Sequence, residues 1–200
     1  PDARVFKMVG AYGTFANEGV YVKPVLVTRI EDKNGTVLFE NTPETHDVVS
    51  AEVARAVVNL MEGVTRYGSG ARLRTKGAET YNAIYKNVMT GYPYQFTNPI
   101  AGKTGTTQNN SDGWFIGMVP NLVTGVWVGG EDRAIHFRTT AYGQGATMAL
   151  PVFGYYMKKC YADKDLNVSK GAFPAPQNKE IPIDCNKEKE GGTEEPEIDF

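Results

Sequence analysis

Three segments between residues 100 and 130 constrain the fold of this chain more than any other feature of its sequence. Residues 100–107, 113–119 and 122–130 have the length and residue types of strands. Pro120-Asn121 separates the second segment from the third, and this pair favours a tight reversal. The sequence therefore predicts a meander of three strands, with the last two as antiparallel neighbours.

Helical patterns lie on both sides of these strands. A first helix is predicted to be capped by Asp2 and to stop at Gly19. A second is predicted to begin at Ser50 and to break at Gly68-Ser69-Gly70, and a third to cover residues 147–161. The predicted buried positions are Val5, Val9, Tyr12, Phe15 and Ala16 in the first helix, Val53, Val57, Met61 and Val64 in the second, and Ala149, Phe153, Met157 and Cys160 in the third.

Two β-rich runs precede the second helix. Residues 24–32 and 36–40 are joined through Lys33-Asn34-Gly35, and Asn-Gly is the strongest short-range signal for a hairpin. The resulting order is helix, hairpin, helix, three strands and helix. Helices that flank antiparallel strands predict an α+β fold, with an antiparallel sheet packed against helices.

The sequence predicts one domain over residues 1–163 and a tail over residues 164–200. Within the domain, residues 71–99 carry Tyr, Asn, Gly and Pro without a clear period, which predicts an irregular insertion. Its aromatic residues either pack on the body, which is favoured, or line a cleft. The tail is Pro-rich and then rich in Lys, Glu and Gly. It has few apolar groups to offset the entropy of ordering, so we expect it to be partly disordered.

The composition gives no support to a nucleic-acid partner or a membrane span. The formal net charge is −2. No apolar run approaches the roughly 20 residues that a span requires, and no signal peptide is present. Because the chain opens with Pro1 and not with a methionine, we expect it to be processed or cut from a longer protein.

The spacing of the cysteines and histidines does not match that of a metal site. Cys160 and Cys185 lack the close pairing of a zinc ribbon, and His46 and His136 stand far from both in the sequence. We therefore expect no metal site and no cofactor. The two cysteines either form a disulfide in an oxidising compartment, worth roughly 3 kcal/mol, or remain two buried thiols, and the sequence leaves both interpretations open.

The segment AGKTGTT raises the question of what Lys103 binds. A phosphate-binding loop requires G-x-x-x-x-G-K-[ST], whose first glycine turns successive N–H groups toward the phosphate. Here that position holds Thr97, and Pro99 removes one of the N–H groups. The motif is also followed by polar residues and a strand, where a phosphate loop leads into a helix. The sequence therefore argues against a phosphate loop.

The alternative is a Lys-Thr-Gly motif beside a serine nucleophile. On the edge of an antiparallel sheet, the Lys103 ammonium would support the proton network around that serine. The hydroxyls of Thr104 and Thr106 would hold a substrate carboxylate. Gly105 has no side chain, so a peptide could lie against the strand, and the next N–H would supply half of an oxyanion hole.

The context of this motif resembles a known family. The stretches GAYGTFANEGVYVKPVLVTRIEDKNG, LMEGVTRYGSGARLR and IAGKTGTTQNNSDGWFIGMVPNLVTGVWVGGED resemble, in this order, the second half of a penicillin-binding protein transpeptidase domain. The resemblance covers about residues 5–160 and is closest to the bifunctional class A enzymes that polymerise and cross-link peptidoglycan. G-S-G stands where the family usually shows G-T-G. The last stretch looks like the versions of Bacteroidetes-type bacteria.

The resemblance implies a serine D,D-transpeptidase that cross-links peptidoglycan stem peptides through an acyl-enzyme and that binds β-lactams. Lys103 and Thr106 would then be catalytic, and Thr104, Gly105, Thr106 and Thr107 would bind substrate. The parent protein would also carry a glycosyltransferase and an N-terminal membrane anchor. It would act at the periplasmic face of the bacterial inner membrane, together with other cell-wall synthesis proteins.

The chain departs from the family in one respect. The family carries S-x-x-K and S-x-N motifs, and none of the four serines begins either of them. Both motifs precede the FAN helix in the family, so we expect this chain to be an incomplete, C-terminal part of the domain that is inactive alone. Two alternatives remain: a D,D-carboxypeptidase or β-lactamase-like hydrolase, and a non-catalytic module that binds a cell-wall peptide or a protein.

Four further features allow either a structural or a functional interpretation. Trp114 and Phe115 could form a cleft wall, but on adjacent positions of a strand at least one of them is expected to face the core. Asp112 is expected to organise the turn after the motif. Gly68-Ser69-Gly70 is explained by a helix C-cap. His136 is disfavoured as a general base, because the family transfers protons with lysines and serine.

Overall fold

The computed structural model describes residues 4–74 and 94–175. Asp2, Cys185, most of the predicted insertion and the end of the predicted tail lie outside these residues. The helices are α1 (Val5–Ala16), α2 (Ala51–Arg66), α3 (Thr140–Gly143), α4 (Gly145–Met148) and α5 (Leu150–Ala162). The strands are β1 (Val20–Val22), β2 (Arg29–Glu31), β3 (Val37–Glu40), β4 (Thr45–Asp47), β5 (Ala101–Thr106), β6 (Asp112–Val119) and β7 (Leu122–Gly129).

The central sheet is the predicted meander. Its order is β5-β6-β7, and both pairs are antiparallel. Lys103 of β5 stands opposite Ile116 of β6, and Trp114 of β6 stands opposite Trp127 of β7. Within the described residues β5 has a strand neighbour on one side only, so its other edge is open.

Helices cover both faces of this sheet, which confirms the predicted α+β fold class. On one face the Phe153 ring of α5 meets the Phe115 ring at a centroid distance of 4.8 Å and an interplanar angle of 61°. Both side chains are fully buried. On the other face Val5 and Val9 of α1 lie against Gly125 of β7. The C-terminal half of α2 packs beside β5.

The first helix is shorter than predicted at both ends. Its N-cap residue is Arg4, whose side chain makes no capping hydrogen bond, and the predicted cap, Asp2, lies outside the described residues. It ends at Ala16, and Gly19 is the residue that redirects the chain into β1. Gly19 has φ +92°, and a Cβ there would lie 2.0 Å from the Val49 carbonyl oxygen, so only glycine fits.

The second helix begins at the predicted residue but buries a different face. The Ser50 hydroxyl accepts a hydrogen bond from the Val53 N–H at 3.3 Å, as an N-cap does. The predicted buried stripe is wrong by one position, because Val53 is 39% exposed. The residues actually buried are Ala54, Val58, Glu62 and Thr65.

The buried face of α2 carries polar side chains as well as apolar ones. Glu62 is 3% exposed, and its two carboxylate oxygens receive hydrogen bonds from Arg55 at 3.0 Å and Arg66 at 2.6 Å. The Thr65 hydroxyl donates to the Ile100 carbonyl oxygen at 2.6 Å, directly before β5. A stripe read from apolar residues alone misses a face that carries a buried glutamate and a buried threonine.

Several other boundaries differ from the predicted ones. The run 24–32 forms a strand only at β2, which pairs with β3 as the predicted hairpin. The β1–β4 pair was not predicted. The last helix starts at Leu150, after the separate turn α4, because Pro151 lacks the N–H that would continue α4. All four predicted core positions of this helix are buried, as expected.

The segments next to these elements also pack on the body. Tyr94 and Phe96 are buried against the α5 side of the core, as expected for the aromatic residues of the insertion that the structure describes. Phe173 is 5% exposed and packs with Val58 of α2 and Met118 of β6. Phe173 therefore packs on the body although it lies within the predicted tail of residues 164–200.

Candidate active site

A cleft of about 760 Å³ lies between α1 and the face of the sheet that carries Lys103. Met8 and Tyr12 of α1 form one wall, and Trp114 and Trp127 form part of the sheet wall. Burial raises the pKa of the Tyr12 hydroxyl, so Tyr12 stays protonated at neutral pH.

The charged residues of the cleft have a small positive excess. Arg4, Lys103 and Arg133 line it together with Asp112 and Glu131. Three basic groups against two acidic ones favour an anionic ligand.

Lys103 lies on the open edge strand and is exposed. Its ammonium donates a hydrogen bond to the Thr104 carbonyl oxygen at 2.9 Å. Among the described residues no carboxylate forms an ion pair with it. Among these residues the amine therefore lines the cleft without a fixed counter-ion.

The hydroxyls of Thr104 and Thr106 each have a contact on the sheet face opposite Lys103, because side chains alternate along a strand. Thr104 Oγ1 lies 2.6 Å from Ser69 Oγ. Thr106 Oγ1 accepts a hydrogen bond from the Gly145 N–H at 3.0 Å. Ser69 therefore belongs to the site, which the helix-cap interpretation of Gly68-Ser69-Gly70 missed.

The backbone of β5 leaves a donor at its open edge. Thr107 N–H bonds to the Asp112 carbonyl oxygen at 3.1 Å, so it faces β6. Because inward and outward groups alternate along an antiparallel strand, the Thr106 N–H faces away from β6. It lies where an incoming carbonyl oxygen could accept a hydrogen bond.

The turn after β5 is organised by Thr107 and Asp112, which confirms the structural role predicted for Asp112. The Asp112 N–H donates to Thr107 Oγ1 at 3.0 Å, and the Thr107 hydroxyl lies 3.1 Å from Asp112 Oδ2. Asp112 is 9% exposed. Both residues also line the cleft, next to Lys103.

Of the remaining candidates Trp114, Phe115 and His136, only Trp114 lines the cleft. Phe115 is fully buried in the core, whereas its neighbour Trp114 lines the cleft, as their alternation along β6 requires. His136 lies in the exposed loop after β7, where its Nδ1 is 3.1 Å from the Phe137 carbonyl oxygen. It does not line the cleft.

Among the described residues, no three His, Cys, Asp or Glu side chains are grouped so that they could hold a metal ion. No helix in these ranges has the length and hydropathy needed to cross a membrane. Cys160 is buried in α5 as a free thiol.

Comparison with known proteins gives consistent matches. Residues 5–146 match the family described as the penicillin binding protein transpeptidase domain. Penicillin-binding protein 1A of Aquifex aeolicus is 33% identical over 165 residues, which cover 81% of this chain and 20% of that protein. Penicillin-binding protein 1A of Neisseria gonorrhoeae is 31% identical over 160 residues, covering 76% of this chain and 17% of that protein.

Solved structures agree at the level of the fold. Penicillin-binding protein 1A from Haemophilus influenzae has a TM-score of 0.62 at 22% identity, covering 88% of this chain and 28% of that one. The D,D-transpeptidase domain of a peptidoglycan glycosyltransferase from Eggerthella lenta has a TM-score of 0.51 at 25% identity, covering 80% and 33%. The chain spans about one fifth of the length of its curated relatives.

Proposed function

The chain belongs to the penicillin-binding protein transpeptidase domain family, and on this premise we propose that it supplies the substrate-binding strand of a serine D,D-transpeptidase. The predicted resemblance to class A penicillin-binding proteins is confirmed by this family match and by the penicillin-binding protein 1A relatives. The edge strand β5 is the observation that carries the proposal, because within the described residues its free edge combines Lys103 on the cleft face, the hydroxyls of Thr104 and Thr106 on the other face, and the outward Thr106 N–H.

The proposed reaction joins two peptidoglycan stem peptides. A serine from an S-x-x-K segment outside this sequence attacks the D-Ala-D-Ala peptide carbonyl, and the terminal D-alanine leaves. An amine of a second stem then attacks the acyl ester, forms the new peptide bond and releases the serine. A β-lactam acylates the same serine.

Residues 103–107 each have a proposed role in this reaction. Lys103 supports the proton network around the serine, which its lack of a fixed counter-ion among the described residues favours. Thr104 and Thr106 bind the substrate carboxylate, and the outward Thr106 N–H contributes to the oxyanion hole. Gly105 lets the peptide lie along the strand, and Thr107 closes the substrate-binding end of the cleft.

We further propose that the parent protein is bifunctional. It would carry a glycosyltransferase domain and a membrane anchor in segments outside this sequence. It would act on the periplasmic side of the inner membrane, with peptidoglycan stem peptides and β-lactams as ligands and other cell-wall synthesis proteins as partners. The coding sequence upstream of Pro1 would then encode S-x-x-K and S-x-N.

Lys103→Ala in the full-length protein tests the proposed site. Removing the amine should slow acylation by a fluorescent penicillin by about 100-fold or more, since a positioned proton-transfer group contributes about 10² to 10⁴ in rate. The melting temperature should stay unchanged, because Lys103 is exposed and bonds only to a backbone carbonyl. Lys158→Ala, a change on an exposed part of α5, serves as the control. An acylation rate equal to that of the wild type would remove Lys103 from the mechanism.

A further inference from the structure

The contact between Ser69 and Thr104 gives a role to a residue that the proposed mechanism does not use. We propose that Ser69 is a positioning residue of the carboxylate-binding edge, which holds the Thr104 hydroxyl so that its proton points to the substrate carboxylate. This inference rests on the proposed function and adds a specificity element to the same site.

The distance and the hydrogen count support this role. Ser69 Oγ and Thr104 Oγ1 are 2.6 Å apart, and either hydroxyl can be the donor. If Thr104 donated to Ser69, its single proton would be unavailable to a carboxylate. With Ser69 as the donor, the Thr104 proton is free for the substrate, and the two hydrogen bonds polarise each other.

The neighbouring Thr106 has the same arrangement with a fixed direction. The Gly145 N–H can only donate, so Thr106 Oγ1 accepts this hydrogen bond, at 3.0 Å, and its own proton stays free. Ser69 would donate a hydrogen bond to Thr104 Oγ1, as the Gly145 N–H does to Thr106 Oγ1. Both threonine hydroxyls on this face of β5 would then offer a proton to one anion.

The backbone around Ser69 holds it in place. Gly68 N–H bonds to the Val64 carbonyl oxygen at 3.1 Å, and Gly70 N–H bonds to the same oxygen at 3.0 Å. A Cβ on Gly68 would lie 3.0 Å from Val64 Cα, so a larger residue there would require the end of α2 to shift by a few tenths of an ångström. Ser69 thus lies in a tight loop that packs closely on the end of α2.

A second set of contacts ties this loop to β5. Thr65 donates to the Ile100 carbonyl oxygen at 2.6 Å, and Arg74 donates to Thr65 Oγ1 at 3.1 Å and to the Asn98 carbonyl oxygen at 3.1 Å. Burial lowers the pKa of Arg74. These buried bonds fix the end of α2 against the start of the strand, so the Ser69 contact is part of a built junction.

The test compares Ser69→Ala, Ser69→Thr, Thr104→Ala and the double variant in the full-length protein. Ser169→Ala, in a turn outside the site, is the matched control. Stopped-flow acylation with benzylpenicillin and with its uncharged methyl ester separates the dissociation constant of the initial complex from the acylation rate constant. Melting temperatures report on the fold.

We expect Ser69→Ala to weaken the initial complex with benzylpenicillin by about five- to tenfold, the size of one hydrogen-bond contribution. The acylation rate constant at saturation and the binding of the methyl ester should change less than twofold. Ser69→Thr should restore binding, because it keeps the hydroxyl. The double variant should bind no more weakly than Thr104→Ala, because Ser69 acts through Thr104.

Three results would overturn the role of Ser69: unchanged benzylpenicillin binding by Ser69→Ala, equal losses for the acid and the ester, or a Ser69→Thr variant as weak as Ser69→Ala. In each case the wild type would still be acylated, and the proposed function would stand. A full-length wild type that no penicillin acylates would overturn the proposed function and the role of Ser69 together.

Discussion

At the scale of single residues, the site depends on the close approach of the Gly145 backbone to strands β5 and β6. Gly145 begins α4 directly over β5 and β6, and its N–H is the partner of Thr106. A Cβ there would lie 2.2 Å from the Gly105 carbonyl oxygen and 2.3 Å from the Trp114 carbonyl oxygen. Neither neighbour is a flexible side chain that could move aside.

Gly145→Ala should therefore displace α4 from the sheet. We expect the free energy of unfolding to fall by about 1–3 kcal/mol, the range for an overpacked core, and penicillin acylation to fall with it. Gly63→Ala in α2 is the matched control: in the part of the chain that the structure describes, no atom beyond the backbone of α2 lies within 4 Å of a Cβ at Gly63, so alanine there should be neutral or stabilising. Urea denaturation of both variants measures the difference. Equal unfolding midpoints would contradict the close-approach argument.

At the scale of secondary-structure elements, the hairpin β2–β3 is held by one carboxylate. Asp32 Oδ1 accepts the N–H groups of Thr36 and Asn34, both at 2.8 Å. These two bonds lower the pKa of Asp32 below its ordinary value, and the bond from Thr36 has the larger effect. Gly35 completes the turn with φ +85°.

This turn should therefore weaken in acid. A depressed pKa in the folded state means that the contribution of Asp32 is complete above its unfolded pKa of about 3.9. The contribution is then lost as the pH falls through the lower folded value. Amide exchange at Asn34 and Thr36, followed by NMR during an acid titration, should accelerate in that window. Asp32→Asn should remove the pH dependence. A measured pKa of Asp32 at or above about 3.9 would contradict the predicted weakening of the turn in acid.

The elements also show what sequence patterns can and cannot predict. The meander, the hairpin and the buried positions of α5 follow from local periodicity and turn residues, so they were predictable. The buried face of α2 was not, because it includes Glu62, which is paired with arginines of the same helix, and Thr65, which bonds to the distant Ile100 carbonyl oxygen. Ser69 was missed for a related reason: its contact lies 35 residues away in sequence, and only the packing of α2 on β5 creates it.

At the scale of the whole molecule, the sheet, its two covering helices and the α2 junction surround the cleft to which the proposed function assigns acyl transfer. The strand that carries Lys103 was predictable from sequence, and the role of Lys103 was predicted from a contiguous Lys-Thr-Gly motif and stays a prediction. The other side of the cleft is formed by α1, whose Met8 and Tyr12 face the sheet. A complete site of this kind also needs a serine with a neighbouring base.

None of the four serines of this sequence meets that requirement, so the chain of 200 residues expressed alone should not be acylated by penicillin. The serines nearest the motif are Ser69, bonded to Thr104 at 2.6 Å, and Ser111, bonded to Thr107 at 3.1 Å. Neither partner is a base. Incubation with a fluorescent penicillin, followed by denaturing electrophoresis, should leave the chain unlabelled while the full-length protein is labelled. Covalent labelling of the short chain that unlabelled drug prevents would show that it contains its own nucleophile, and substituting Ser69 and Ser111 in turn would identify it.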